Sequence, residues 1–345
     1  MLVLRAAGKA AEETSLVLPE PIQSKHQPAA QHAGRTAMPT LNANGIRIAF
    51  DTAGDAKSTP VLLIHGLGMQ LTNWPDEFVD GLVELGFYVI RFDNRDCGLS
   101  TKFDSAGKPS LVWSWLKSRL KLPFKPPYGL EDMAGDALGV LSALGIARAH
   151  VVGVSMGGMI GQILAARHPQ RVLSLTSIMS SSGRRGLPGP TASARHALLR
   201  APADPKDVDS ILDQAVAVQQ AIGSPAYPTP EKQLRRRAAR SLRRCHCPAG
   251  VTRQMLAIAG AADRSALLQS ITAPTLVIHG ACDPLVPLAC GEDVAAQVPG
   301  ARLEVIEGMG HDLPAQLNER MLALIDAHAR GKMAFDSTPR LFVKQ

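Results

Sequence analysis

The sequence predicts an α/β fold with a mostly parallel central sheet, helices on both faces and a helical insertion late in the chain. Three observations carry that expectation. Val61–Ile64, Tyr88–Phe92, His150–Val154 and Thr275–His279 are near-continuous apolar runs, as strands buried on both faces of a parallel sheet are. Helical spacing fills the intervals between the first three of them. The long stretch from 178 to 275 then breaks the strand–helix alternation.

Taken in order, residues 1–37 have no sustained periodicity and are rich in Ala, Pro, Gln and charge, so they read as a mobile extension. The core opens with Thr40–Ala43, Asn44-Gly45 and Ile46–Asp51. Asn-Gly between two short strand patterns signals a two-residue hairpin whose turn positions want φ > 0. Asp76–Leu85 and Leu130–Leu144 are helical and stop at Gly86 and Gly145, where glycine caps a helix C-terminus. Met156–Arg167 stops before Pro169, and a last helix runs from Pro314 to His328 with proline in its first turn. Between the strand around Leu173–Ile178 and that at Thr275, helices are expected near Asp207–Ala221 and Glu231–Arg244. The expected division is core at 38–183 and 251–332, a helical cap at 184–250 and a C-terminal tail at 333–345. A further insertion is expected at Trp113–Tyr128, where Trp113, Trp115, Phe124 and Tyr128 serve either packing or substrate contact.

The chemistry concentrates at the ends of those strands. Gly153-Val154-Ser155-Met156-Gly157 sits between an apolar strand and a helix, the context in which G-x-S-x-G forms a nucleophile elbow. A serine needs this setting because its hydroxyl is a weak nucleophile without a base beside it and N–H donors for the oxyanion. Asp283 follows the strand Thr275–His279, and His311 follows the alternating run Arg302–Glu307. The order Ser155, Asp283, His311 fits a triad with nucleophile, acid and base in that sequence. Val61–Ile64 ends in His65-Gly66-Leu67-Gly68, a turn suited to the second half of an oxyanion hole, so the amides of Leu67 and Met156 are the expected donors. His65, Gly66 and Trp74 are candidates for the substrate pocket, with Trp74 equally suited to plain packing.

Together these residues resemble the α/β-hydrolase superfamily from about 40 to 330. Within it, Asn73–Phe78, Arg91–Ser100, Ala149–Gly157, Pro274–Gly280 and Pro299-Gly300-Ala301 through Gly308-Met309-Gly310-His311 are similar to the esterase branch that includes the aclacinomycin methylesterases. The resemblance implies an α/β-hydrolase fold and serine-dependent hydrolysis of carboxylic esters, with no metal or organic cofactor. It carries Ser155 as nucleophile, Asp283 as acid partner and His311 as base. Short to medium acyl or methyl esters of small molecules are the expected substrates. Cofactor-free perhydrolysis and carbon–carbon bond hydrolysis use the same triad, and a catalytically silent ligand binder is the alternative outside catalysis.

Composition bounds the rest. With 345 residues and 46% hydrophobic content the chain can bury a substantial core. Five scattered cysteines argue against a disulfide framework. No apolar run approaches the ~20 residues of a membrane span, and no signal peptide pattern opens the chain, so a cytoplasmic protein is expected. A net charge of +7 does not by itself imply a nucleic-acid partner. The arginines at 235–237, 240, 243 and 244 read as a solvated or salt-bridged helix face. Cys245-His246-Cys247 has the wrong spacing for zinc and lacks a partner pair, so no metal is expected. His279 reads as a buried, hydrogen-bonded residue, Asp136 as solvated on its helix, and Asp93 with Arg95 as structural pairing after a strand.

Overall fold

A computed structural model of the chain describes residues 38–107 and 126–332. Trp113, Trp115 and Phe124 lie outside the described residues, as do 1–37 and 333–345. Eight strands are described: β1 (Thr40–Ala43), β2 (Ile46–Ala53), β3 (Thr59–Ile64), β4 (Phe87–Phe92), β5 (Ala149–Val154), β6 (Val172–Ile178), β7 (Thr275–Gly280) and β8 (Arg302–Ile306). They form one sheet in the order β1-β2-β4-β3-β5-β6-β7-β8. β1 and β2 form the expected hairpin, and Asn44 and Gly45 both take positive φ, 49° and 76°. β2 meets β4 antiparallel, and every later pairing is parallel.

The strand order fixes where a site can form. From β3 the chain moves outward to β4 on one side, then returns to lay β5 on the other side of β3. Adjacent parallel strands whose connections leave in opposite directions open a crevice at their carboxyl ends. Ile64 pairs with Gly153, so the turns after β3 and β5 emerge side by side at that crevice.

Before the long insertion lie α1 (Asp76–Glu84), α2 (Leu130–Ala143) and α3 (Met156–Arg167). Between β6 and β7 come α4 (Ala192–Leu199), α5 (Val208–Ile222), α6 (Glu231–Arg244), α7 (Pro248–Ala259) and the single turn α8 (Ser265–Leu268). α9 (Leu288–Gln297) and α10 (Asn318–Ala329) complete the described chain. Alternate β3 residues serve opposite faces. Leu62 and Ile64 join a core with α2 and α3, while Val61 and Leu63 join Trp74, Phe78 and Leu82 beside α1 and α10. Burial on both faces is why these strands read as unbroken apolar runs.

Some boundaries differ from expectation for visible reasons. Pro314 is extended (ψ 140°) and leads a 3₁₀ turn at Ala315–Leu317, so α10 starts at Asn318. Pro248 sits in the first turn of α7, which runs through position 250. α4, α7 and α9 were not legible as helices. α4 is short and capped by Thr191, whose hydroxyl accepts the Ala194 N–H at 3.2 Å.

Candidate active site

Ser155 is the hinge between β5 and α3. Its φ of 56° and ψ of −118° lie where residues with a Cβ are rarely found. Such backbone strain costs of order 1–3 kcal/mol and persists only where the surroundings impose it. Here they do. A Cβ on Gly153 would lie 2.3 Å from the Gly157 carbonyl oxygen, and one on Gly157 would lie 2.0 Å from that of Ile64. The Ser155 N–H donates to Ile178 O on β6 at 2.9 Å. The serine side is therefore held up from the sheet and stays half-buried.

His311 and Asp283 arrive from the neighbouring strand ends. Asp283 follows β7, and its Oδ1 accepts the N–H groups of Leu285 and Val286 at 2.8 Å each. Its Oδ2 is 2.6 Å from Nδ1 of His311. The other imidazole nitrogen, Nε2, is 3.0 Å from Ser155 Oγ. With the proton on Nδ1 facing the carboxylate, Nε2 is free to accept from the serine. The His311 loop is clasped by the chain leaving α5: the His311 N–H donates to Ile222 O at 2.7 Å and the Gly310 N–H to Ser224 Oγ at 2.9 Å. A Cβ on Gly310 would lie 2.3 Å from the Gly223 oxygen, which explains the glycine beside the histidine.

The turn after β3 lies against the serine. A Cβ on Gly66 would stand 3.2 Å from Ser155 Cβ. Among the described residues neither the Leu67 nor the Met156 N–H donates to a protein acceptor. The turn itself is tied on all sides. Gly66 N–H donates to His65 Nδ1 and Gly68 N–H to Gln254 Oε1, both at 2.8 Å, and Asn94 Nδ2 donates to His65 O at 3.1 Å. Burial lowers the His65 pKa to about 4, so its ring is neutral near pH 7 and Nδ1 can accept. Of the three pocket candidates, Gly66 stands directly against Ser155. His65 and Trp74 are buried behind the turn, their rings 4.9 Å apart, and Trp74 stacks on Phe78.

Several polar residues near the site differ from expectation or escaped it. Asp136 is fully buried, not solvated, because Arg95 grips its two oxygens at 2.6 and 2.7 Å. Asp93 and Arg95 are structural, as expected, but with other partners: Asp93 pairs with Arg244 at 2.7 Å and accepts the Leu71 and Leu99 N–H groups at 2.8 Å. Arg253 forks onto Asp96 with two 2.7 Å bonds, and Gln254 bridges Arg95 O to the Gly68 N–H. Four polar residues directly after the apolar β4 were the available signal for the acidic partners. Nothing in sequence marks Gln254. His279 is buried with Nε2–H donating to Val286 O at 2.7 Å, and burial lowers its pKa. Among the described residues no three His, Cys, Asp or Glu side chains converge as metal ligands. No described helix is long and apolar enough to cross a membrane.

Comparison with known proteins bears on the family and the fold. The family model of the α/β-hydrolase fold matches residues 59–315. A rhodomycin D methylesterase of Streptomyces peucetius is 33% identical over 80% of this chain and 93% of its own length. A 2-hydroxy-6-oxononadienedioate/2-hydroxy-6-oxononatrienedioate hydrolase of a Pseudomonas species is 27% identical over 73% of this chain and 81% of its own. Among solved structures, an enol-lactonase of Burkholderia xenovorans superposes with a TM-score of 0.64 at 24% identity, covering 85% of this chain and all of its own, which supports the fold. The family model covers most of the chain and the methylesterase similarity agrees with it: the chain belongs to the α/β-hydrolase family.

Proposed function

We propose that the protein is a serine-dependent carboxylic ester hydrolase working through a covalent acyl-enzyme. The observation that carries this reading is the hydrogen-bonded line Ser155 Oγ, His311 Nε2, His311 Nδ1, Asp283 Oδ2, with spacings of 3.0 and 2.6 Å. Ser155 attacks the ester carbonyl while His311 takes its proton, and Asp283 holds the tautomer and stabilises the imidazolium. The N–H groups of Leu67 and Met156 receive the oxyanion, aided by the positive end of α3. His311 then protonates the departing alcohol and activates water to release the acid. Residues 184–250 serve as a cap in this scheme, and the bond from His311 N–H to Ile222 O ties that segment to the base. The similarity to a methylesterase favours methyl or short acyl esters of a small molecule as substrates.

Ser155→Ala is expected to abolish p-nitrophenyl ester hydrolysis and fluorophosphonate labelling while leaving the circular dichroism spectrum intact. Retained turnover in that variant would overturn the mechanism. A wild-type chain that takes the label yet cleaves a carbon–carbon bond or performs perhydrolysis in place of ester hydrolysis would move the assignment within the same triad. Absence of labelling in folded wild-type protein would instead favour a silent ligand binder.

A further inference from the structure

We infer that Ser180 is a positioning residue for the oxyanion hole, acting through the peptide bond that joins Ser155 to Met156; this rests on the esterase reading above. Ser180 lies two residues beyond β6 and is 1% exposed. Its Oγ–H donates to the carbonyl oxygen of Ser155 at 2.8 Å. The chain reaches that point through Met179, which has φ of 43° and whose N–H is fixed to Ile278 O at 2.8 Å. Gly158 makes room, since a Cβ there would lie 2.6 Å from Ser180 Cβ and 2.7 Å from its Oγ.

The consequence follows from peptide geometry. A trans peptide is planar, so the direction of its C=O dictates the opposite direction of its N–H. The N–H across from the Ser155 carbonyl is that of Met156, the donor assigned to the oxyanion. The same carbonyl accepts the Gly158 and Met159 N–H groups at 2.9 and 3.2 Å, as the first carbonyl of α3. Those bonds come from within the helix and move with it. The Ser180 hydroxyl comes from the sheet, so it fixes the orientation of that peptide relative to β6. It also draws electron density toward the carbonyl, which polarises the Met156 N–H and strengthens it as a donor. Ser180 itself touches neither His311 nor Asp283 through any described hydrogen bond.

The test compares Ser180→Ala with wild type in the full chain, using a p-nitrophenyl ester and a trifluoromethyl ketone that forms a tetrahedral adduct. Losing a whole oxyanion donor costs about 10²–10³ in kcat, and misorienting one should cost less, about tenfold. The expected result is that fall in kcat with KM within about a factor of two, and a parallel weakening of the ketone. The pH profile of kcat/KM should keep its shape, because the base is untouched. Ser180→Thr, which keeps the hydroxyl, should recover much of the rate, and Ser180→Cys, a weaker donor, should fall between if Ala fails to fold. Wild-type kcat and ketone affinity in a folded Ser180→Ala or Ser180→Cys variant would overturn the assignment. So would a fall in kcat accompanied by a displaced pH profile, which would place the effect on His311. Should wild type hydrolyse no ester, the functional reading fails separately, and the fluorophosphonate labelling rate of the same variants then decides the role of Ser180.

Discussion

Gly66 shows how little space is left beside Ser155. An alanine methyl there would stand 3.2 Å from Ser155 Cβ and 3.8 Å from its Oγ. Ser155 cannot retreat, since its φ of 56° is imposed by the elbow and its N–H is tied to Ile178. Gly66→Ala should therefore lower kcat at least about tenfold, by displacing the hydroxyl from His311 or narrowing the approach of the ester. The fold should survive, because the clash is a few tenths of an ångström. Steady-state kinetics and a melting curve of the same sample separate the two effects, and unaltered kcat would refute the crowding. Gly157→Ala is the contrasting case. Its Cβ would meet backbone oxygen at 2.0 Å, and the expected outcome is failure to fold. At this scale the sequence was readable where chemistry is written in one short segment. Gly153–Gly157, Asp283 and His311 were legible because each sits at a strand end with glycine or proline nearby. Ser180 and Gln254 were not, because their partners, Ser155 O and the Gly68 N–H, lie 25 and 186 residues away and no local pattern marks them.

The helix α6 shows what an element owes to its distant neighbours. Its arginines were expected to share one solvated or salt-bridged face, and most of them do. Arg235 pairs with Asp209 and Asp213 on α5, and Arg240 meets Asp76 on α1 at 2.9 Å. Arg244 behaves differently. It reaches the wholly buried carboxylate of Asp93 and donates to Gln70 Oε1 at 2.7 Å, while Gln70 Nε2 caps the carbonyls of Ser241 and Cys245 at 2.8 and 3.0 Å. Gly98, with φ of 51°, lets the loop after β4 close over this pair, since a Cβ would lie 2.1 Å from Asp93 Oδ2. Removing one member of a buried ion pair leaves a desolvated charge behind and costs about 3 kcal/mol or more. Arg244→Ala should lower stability by that order, whereas Arg243→Ala, at an exposed position, should stay within about 0.5 kcal/mol. Urea denaturation of the two variants measures the contrast, and equal midpoints would show that Arg244 is as dispensable as its neighbour. Helical spacing predicted α6 itself. Which arginine goes inward was not legible, because the choice depends on an acid 151 positions earlier in the chain.

For the molecule as a whole, buried histidines set the response to acid. His65, behind the turn at β3, and His150, on β5, each have the pKa lowered from 6.5 to about 4 by burial. Burial shifts His279 and His328 in the same direction. Between pH 6.5 and 4 the unfolded chain binds protons on these rings that the folded chain does not, so stability rises with pH across that window and is lost as pH falls through it. For His65 and His150 the loss at pH 5 is about 2 kcal/mol each, a large share of the roughly 5–15 kcal/mol that keeps a domain folded. The urea midpoint should therefore drop steeply between pH 7 and 5, well above the range in which ordinary carboxylates titrate. His150 donates or accepts at Ser174 Oγ at 2.8 Å, a bond that an amide can replace. His150→Asn should flatten the pH dependence while retaining that contact. A midpoint unchanged from pH 7 to 5 in the wild type, or a slope unaltered by His150→Asn, would show that these rings do not govern it. The linkage reaches the turn beside Ser155 through His65 in particular. Protonation of its Nδ1 removes the acceptor for the Gly66 N–H, so acid should loosen the turn His65–Gly68 that stands against Ser155.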